Sequence, residues 1–193
     1  MREDALSREI ANRYNLDVLS KIEDTQTYYV ATDKFDDKVT IYTYDANTDT
    51  FGDEPVFAHP EFNAGGMIFS NRKEDFGRIL GFTYDGPVRE TFWIDPEMKS
   101  IQDGLDAAFP GKNVVLNDYT ADRNRVLFTV SAPEMAPAYF LLVDKAKVAV
   151  IGSQRPWLKE EDLGKGKFVY YSARDGMKIP AILTMPAGYE DGD

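Results

Sequence analysis

The chain has 193 residues and no cysteine, which excludes disulfides, thiolate metal sites and cysteine nucleophiles. Its net charge of −11 repels phosphate backbones and anionic lipid, and so argues against nucleic acid or a membrane surface as partner. A hydrophobic fraction of 43% is that of a globular chain, and 13% aromatic residues, with 11 Tyr and 12 Phe, lean toward β-structure. No apolar run approaches the ~20 residues of a membrane span. The opening Met1-Arg2-Glu3-Asp4 and the acids that follow do not have the pattern of a signal peptide. Localisation is left open between cytoplasm and periplasm.

In chain order, residues 1–24 are expected to form an N-terminal helical segment. Leu6, Ile10, Ala11 and Tyr14 share one helical face, which predicts a helix over residues 4–15, either a native cap or an edge strand misread as helical. Residues 25–153 then carry a repeat. Three segments end in an apolar or aromatic run followed by Asp: Ile41-Tyr42-Thr43-Tyr44-Asp45, Thr91-Phe92-Trp93-Ile94-Asp95 and Phe140-Leu141-Leu142-Val143-Asp144. Each follows a second apolar run, at Tyr28-Tyr29-Val30-Ala31, Ile79-Leu80-Gly81-Phe82 and Val126-Leu127-Phe128-Thr129. Met67-Ile68-Phe69-Ser70 and Val114-Val115-Leu116-Asn117 also correspond. Each leads into an Asp-x-x-Arg-apolar step, at Asp75 to Arg78-Ile79 and at Asp122 to Arg125-Val126.

Short strands joined by polar turns and recurring every 40–50 residues are the mark of β-propeller blades. The predicted fold is therefore mainly all-β: a partial β-propeller of about three antiparallel blades, at residues 25–60, 64–112 and 113–153. The first blade is expected to begin at its second strand unless a strand comes from upstream of Thr25. In the second, a helix replaces the outer strand. Ser100 is its expected N-cap, Ile101, Leu105, Ala108 and Phe109 lie on one face, and Pro110-Gly111 stops it. Three look-alike hairpins in a β-sandwich are the alternative. A partial ring leaves sheet faces and edges open, so self-association or a compact non-ring packing is expected.

Residues 154–166 read as a linker, from Arg155-Pro156-Trp157 to Gly164-Lys165-Gly166. Two β-rich runs follow, Phe168 to Ala173 and Lys178 to Pro186, around Arg174-Asp175-Gly176-Met177, and Asp-Gly here predicts a hairpin with a two-residue turn. The stretch from Tyr171 through Pro186, with Ala187-Gly188-Tyr189 after it, resembles the entry into the peptidase domain of the prolyl oligopeptidase family, nearest its acylaminoacyl-peptidase-like members. That resemblance implies that residues 167–193 begin an α/β-hydrolase domain, preceded by an N-terminal propeller, in a serine peptidase that acts on short peptides. The family's nucleophile elbow, Gly-x-Ser-x-Gly, is absent, and the one histidine, His59, lies far upstream. No catalytic residue is carried over. Nucleophile, base and oxyanion donors are expected beyond Asp193. The resemblance thus implies a non-catalytic piece that gates access of a peptide substrate to a hydrolase domain absent from this chain. The alternative is a free-standing β-propeller-like module that binds a protein or a carbohydrate.

Other candidates give way to plainer readings. Asp45-Ala46-Asn47-Thr48-Asp49 opens like a calcium loop, but Thr50 stands where Gly is needed and Val56 where Glu is needed. His59 before Pro60 reads as a loop histidine. Asp36-Asp37, Asp53-Glu54 and Glu160-Glu161 would be the acids of a glycosidase, but adjacent acids in turns point apart and into solvent. Trp93 and Trp157 read as packing residues, and Gly65-Gly66 and Gly164-x-Gly166 as turn or linker glycines. No catalytic, metal or cofactor residue is assigned, and no cofactor is implied.

Overall fold

A computed structural model of the chain describes residues 14–189. The chain divides into two compact units, one of residues 1–69 and 79–94 and one of residues 70–78 and 95–193.

The first unit holds two antiparallel sheets. Strands β1 (Leu16–Lys21), β2 (Thr27–Thr32), β3 (Thr40–Asp45) and β4 (Thr50–Phe51) lie side by side in sequence order. So do β5 (Ala64–Phe69), β6 (Ile79–Asp85) and β7 (Arg89–Trp93). Val30, Ile41 and Tyr44 are all buried, and alternation puts Val30 and Tyr44 on one face of the sheet and Ile41 on the other. Ile41, Ala64 and Phe82 form the centre of a core that Leu19, Tyr29, Val56, Phe57, Met67 and Ile79 complete. Phe57 stacks on Phe82 at 4.6 Å, nearly parallel. Gly81 faces Trp93 across the β6–β7 pair, and a Cβ there would meet the Phe92 carbonyl oxygen at 2.7 Å. The glycine leaves the room that Trp93 occupies, since a Cβ would also come within 3.0 Å of its ring.

The second unit is built on helix α1 (Pro96–Ala108) and a four-stranded antiparallel sheet ordered β11-β10-β9-β8. Its strands are β8 (Asn113–Tyr119), β9 (Arg125–Ala132), β10 (Met135–Val143) and β11 (Lys147–Ser153). Met98, Ile101 and Leu105 of the helix and Val126, Phe128, Val130 and Leu142 of the sheet are buried. Phe109 meets Phe128 and Phe140, which stack on each other at 5.4 Å. Strands β12 (Lys165–Ser172) and β13 (Lys178–Met185) form a separate two-stranded sheet.

The mainly-β architecture, the helix that follows a three-stranded sheet and the C-terminal hairpin agree with the sequence reading. Three details differ. The segment expected to be helical over residues 1–24 is, in part, strand β1, which supplies the first blade with its missing first strand. The helix expected over 4–15 falls outside the described residues except for Tyr14 and Asn15, which are not helical. Helix α1 begins four residues before the expected cap. Asp95, not Ser100, is its N-cap, its carboxylate accepting from the Met98 amide at 2.9 Å, with Pro96 in the first turn. Finally, Asp175-Gly176 is not a two-residue turn. The Gly176 amide donates to the Ala173 carbonyl and the Ala173 amide to the Met177 carbonyl. Of the pair, only Gly176 has positive φ, at 89°. That is the three-residue loop with a bulge, which also requires glycine.

Candidate functional site

The most densely built polar cluster lies within the second unit, where the β5–β6 loop (residues 70–78), the β8–β9 loop and the start of α1 meet. The two loops close in like fashion. The Ser70 amide donates to the Arg78 carbonyl and the Ser70 hydroxyl to Asp75 at 2.6 Å. The Thr120 amide donates to the Arg125 carbonyl and the Thr120 hydroxyl to Asp122 at 2.6 Å. The repeated Asp-x-x-Arg step is therefore a loop-closing device. Its carboxylate caps local donors, as short polar side chains in turns do.

The loops are then cross-linked. Arg78 forks between Asp75 (2.6 Å) and Asp95 (2.7 Å). Arg72 donates to the Ala121 carbonyl at 2.7 Å and pairs with Glu97, which also receives Lys145 at 2.6 Å. The Asn71 amide group donates to the Tyr119 carbonyl. At the centre is Arg123, only 1% exposed. Its Nη1 donates to Asn71 Oδ1 at 2.7 Å, and its guanidinium carbon sits 4.2 Å from the centre of the Tyr119 ring. Its Nε is buried without a hydrogen-bond partner, and its backbone is in the left-handed region at φ 59°.

These environments favour fixed charge over proton exchange. The Ser70 hydroxyl and Arg78 hold the Asp75 carboxyl below its ordinary range. Burial pushes Asp95 up, but the Met98 amide and Arg78 outweigh it and the net shift is downward. Glu97 is likewise pushed up by burial and brought below its ordinary value by Lys145 and Arg72. A carboxylate held ionised by cations makes a poor general acid. The cluster is a clasp of ion pairs and hydrogen bonds.

The residues weighed in the sequence are scattered. Asp45 accepts from the amides of Asn47 and Thr48, and Asp49 accepts from the Tyr44 hydroxyl at 2.6 Å, so both acids of the would-be calcium loop serve a turn. Among the described residues no three His, Cys, Asp or Glu side chains are grouped to hold a metal ion. His59 Nδ1 accepts from the amides of Glu61 and Phe62, both at 3.1 Å, and its ring stacks on Tyr84 at 4.4 Å. That nitrogen is thereby committed to the backbone. Tyr84 is pushed up to about 12 by burial and by its bond to Glu90. Asp36 and Asp37 share Lys38, and Glu161 pairs with Lys159. Asp53 and Glu54 are exposed. Trp93 is in the core, whereas Trp157 is 73% exposed. Gly65 and Gly66 are not turn glycines but lie in β5, with Gly66 opposite Thr83, and Gly166 lies in β12, packed against Pro133. Sequence reasoning missed Arg123 and Asn71, which carry no motif of their own.

No family model and no curated protein matches the chain. Solved structures do. A prolyl endopeptidase, one of two compared for the role of inter-domain dynamics in catalysis and specificity, matches with a TM-score of 0.54 at 12% identity, over 92% of this chain and 25% of its own. Prolyl oligopeptidase B from Galerina marginata, bound to a 25-residue macrocyclization substrate, covers 92% of this chain and 24% of its own, at 11% identity and a TM-score of 0.48. Oligopeptidase B from Trypanosoma brucei, with covalently bound antipain, covers 93% of this chain and 26% of its own, at 12% identity and a TM-score of 0.42. The first match defines the class: a chain with the β-propeller fold of the prolyl oligopeptidases. The likeness is one of fold, and the chain spans about a quarter of the length of these structures.

Proposed function

We propose that the chain is the non-catalytic propeller part of a prolyl-oligopeptidase-type serine peptidase, joined to the first hairpin of its α/β-hydrolase domain, and that it gates entry of short peptides. The observation that carries this reading is the fold match over 92% of the chain to a prolyl endopeptidase. Two features support it: successive antiparallel sheets that end in the β12–β13 hairpin, and the hairpin's sequence from Tyr171 through Pro186. On this reading residues 16–153, strand β1 included, are blades, 154–164 a linker, and the chain from Lys165 onward the start of the hydrolase domain. The propeller acts by size exclusion, and the chemistry belongs to a domain outside this chain.

The test has two arms. The purified 193-residue chain, incubated with chromogenic peptide substrates, is expected to show no turnover above buffer, and turnover would refute the non-catalytic assignment. The coding region is expected to run on past Asp193 into a Gly-x-Ser-x-Gly segment. A stop codon there would sink the peptidase reading and leave a free-standing binding module.

A further inference from the structure

Within the first unit, three aromatic side chains surround a single ammonium. Lys34 Nζ lies 4.4 Å from the ring centre of Phe51, 5.1 Å from that of Tyr14 and 5.2 Å from that of Phe35. The rings of Phe35 and Phe51 meet at 84° with centres 5.2 Å apart, making a corner. Tyr42 backs it, 4.9 Å from Phe35 and at 89° to Phe51. An aromatic face carries the negative part of the ring quadrupole and attracts a cation within about 6 Å of its centre. Walls set at right angles let more than one ring address the same small volume.

Carboxylates are plentiful nearby, yet among the described residues none receives the ammonium. Asp33 is engaged by Asn15, and Asp36 and Asp37 by Lys38. Among the described residues no carboxylate pairs with Lys34. In a chain of net charge −11, this cation is held by rings. Two of the walls are anchored: Tyr42 stands on β3 and Phe51 on β4, with Phe51 packed 5.0 Å from the buried Tyr44. The tenant sits on the β2–β3 loop, and both Lys34 and Phe35 are exposed, so among the described residues nothing closes the corner over them.

We propose that the corner of Tyr14, Phe35, Tyr42 and Phe51 is a binding site for an organic ammonium group, and that Lys34 is an intramolecular occupant which an external cation displaces. Rings offer no hydrogen-bond acceptor to replace water around a primary ammonium, which is strongly hydrated. An N-methylated cation gives up less hydration, so the site favours a quaternary ammonium. This assignment does not rest on the peptidase reading.

The probe is tetramethylammonium, titrated into the 193-residue chain and followed by proton NMR. In the unliganded chain the Lys34 ε-methylene protons are expected upfield, shielded by the rings. They return toward their ordinary position as the probe binds, while the probe's own methyl signal moves upfield. Lys34→Ala removes the competitor and is expected to tighten apparent binding about tenfold, the order of one to two cation–π contacts. Phe51→Leu keeps the apolar bulk but not the quadrupole, and abolishes binding with or without Lys34. Lys34 protons that stay in place at saturating probe would overturn the proposal. So would equal affinity in the native chain and Lys34→Ala, or choline binding no better than its neutral isostere 3,3-dimethylbutanol. The native-chain titration and the choline comparison need no variant, so a misfolded mutant does not shelter the idea.

Discussion

Replacing Arg123 by methionine tests whether the clasp in the second unit stabilises the fold or is merely tolerated by it. Methionine keeps the length and the apolar stem of the side chain and removes charge, donors and ring-facing cation. The native guanidinium donates at 2.7 Å to Asn71 Oδ1, donates at 3.3 Å to the Thr120 carbonyl and lies over Tyr119. A hydrogen bond from a charged group contributes about 1.5–3 kcal/mol, and a desolvated cation–π contact about 2 kcal/mol. Against this stand the buried Nε without a partner, whose removal returns about 1–3 kcal/mol, and the cost of keeping a charge out of water. The net expectation is a loss of about 2 kcal/mol for Arg123→Met, because the Asn71 carbonyl is left without this donor. Urea denaturation followed by circular dichroism measures it, and a double-mutant cycle with Asn71→Ala should return a coupling of about 1 kcal/mol. A methionine variant as stable as the native chain, or more so, would refute the reasoning. It would place Arg123 with those buried ions whose desolvation outweighs their contacts.

Acid should loosen the same region first. Asp75, Asp95 and Glu97 sit below their ordinary values in the folded chain, so the native state binds fewer protons than the unfolded one. Their stabilisation is complete above the usual carboxylate range and is lost as pH falls through and below about 4. Amide hydrogen exchange between pH 6 and pH 3, corrected for intrinsic rates, should show residues 70–78 and the first turn of α1 losing protection ahead of β2 and β3. Simultaneous loss would count against the clasp. In the first unit, Gly81→Ala would place a methyl 2.7 Å from the Phe92 carbonyl oxygen and 3.0 Å from the Trp93 ring. It should cost about 1–3 kcal/mol, as overpacking does, and should redshift Trp93 fluorescence as the indole is displaced into solvent. A variant with unchanged melting and emission would show that the β6–β7 pair can open without penalty.

What could be read from the sequence and what could not divide along a physical line. The blade strands were legible because alternation and spacing are local: Tyr28–Ala31 with Ile41–Asp45, and Val126–Thr129 with Phe140–Asp144, pair as the repeat implies. Strand β1 was not, because a register shift between Val18 and Ser20 breaks its alternation, and the remaining Leu16-Asp17-Val18-Leu19 has the i, i+3 look of a helix. The helix start was hidden by the repeat itself. In the repeat Asp95 reads as the end of an apolar run, and the same residue caps α1 through its side chain. Nothing local marks Arg123: an arginine at positive φ in a polar loop reads as solvated, and its burial is set by Asn71, 52 positions away. The aromatic corner is of the same kind, since Phe35 and Phe51 become neighbours only once β2, β3 and β4 are laid side by side. Both assemblies place a cation against rings, one buried at Tyr119 and one open at Phe51. The difference in access decides their roles. The closed one, tied by hydrogen bonds to two loops, can only stabilise, whereas the open one holds its lysine on a loop at a surface where a solute can compete for the rings.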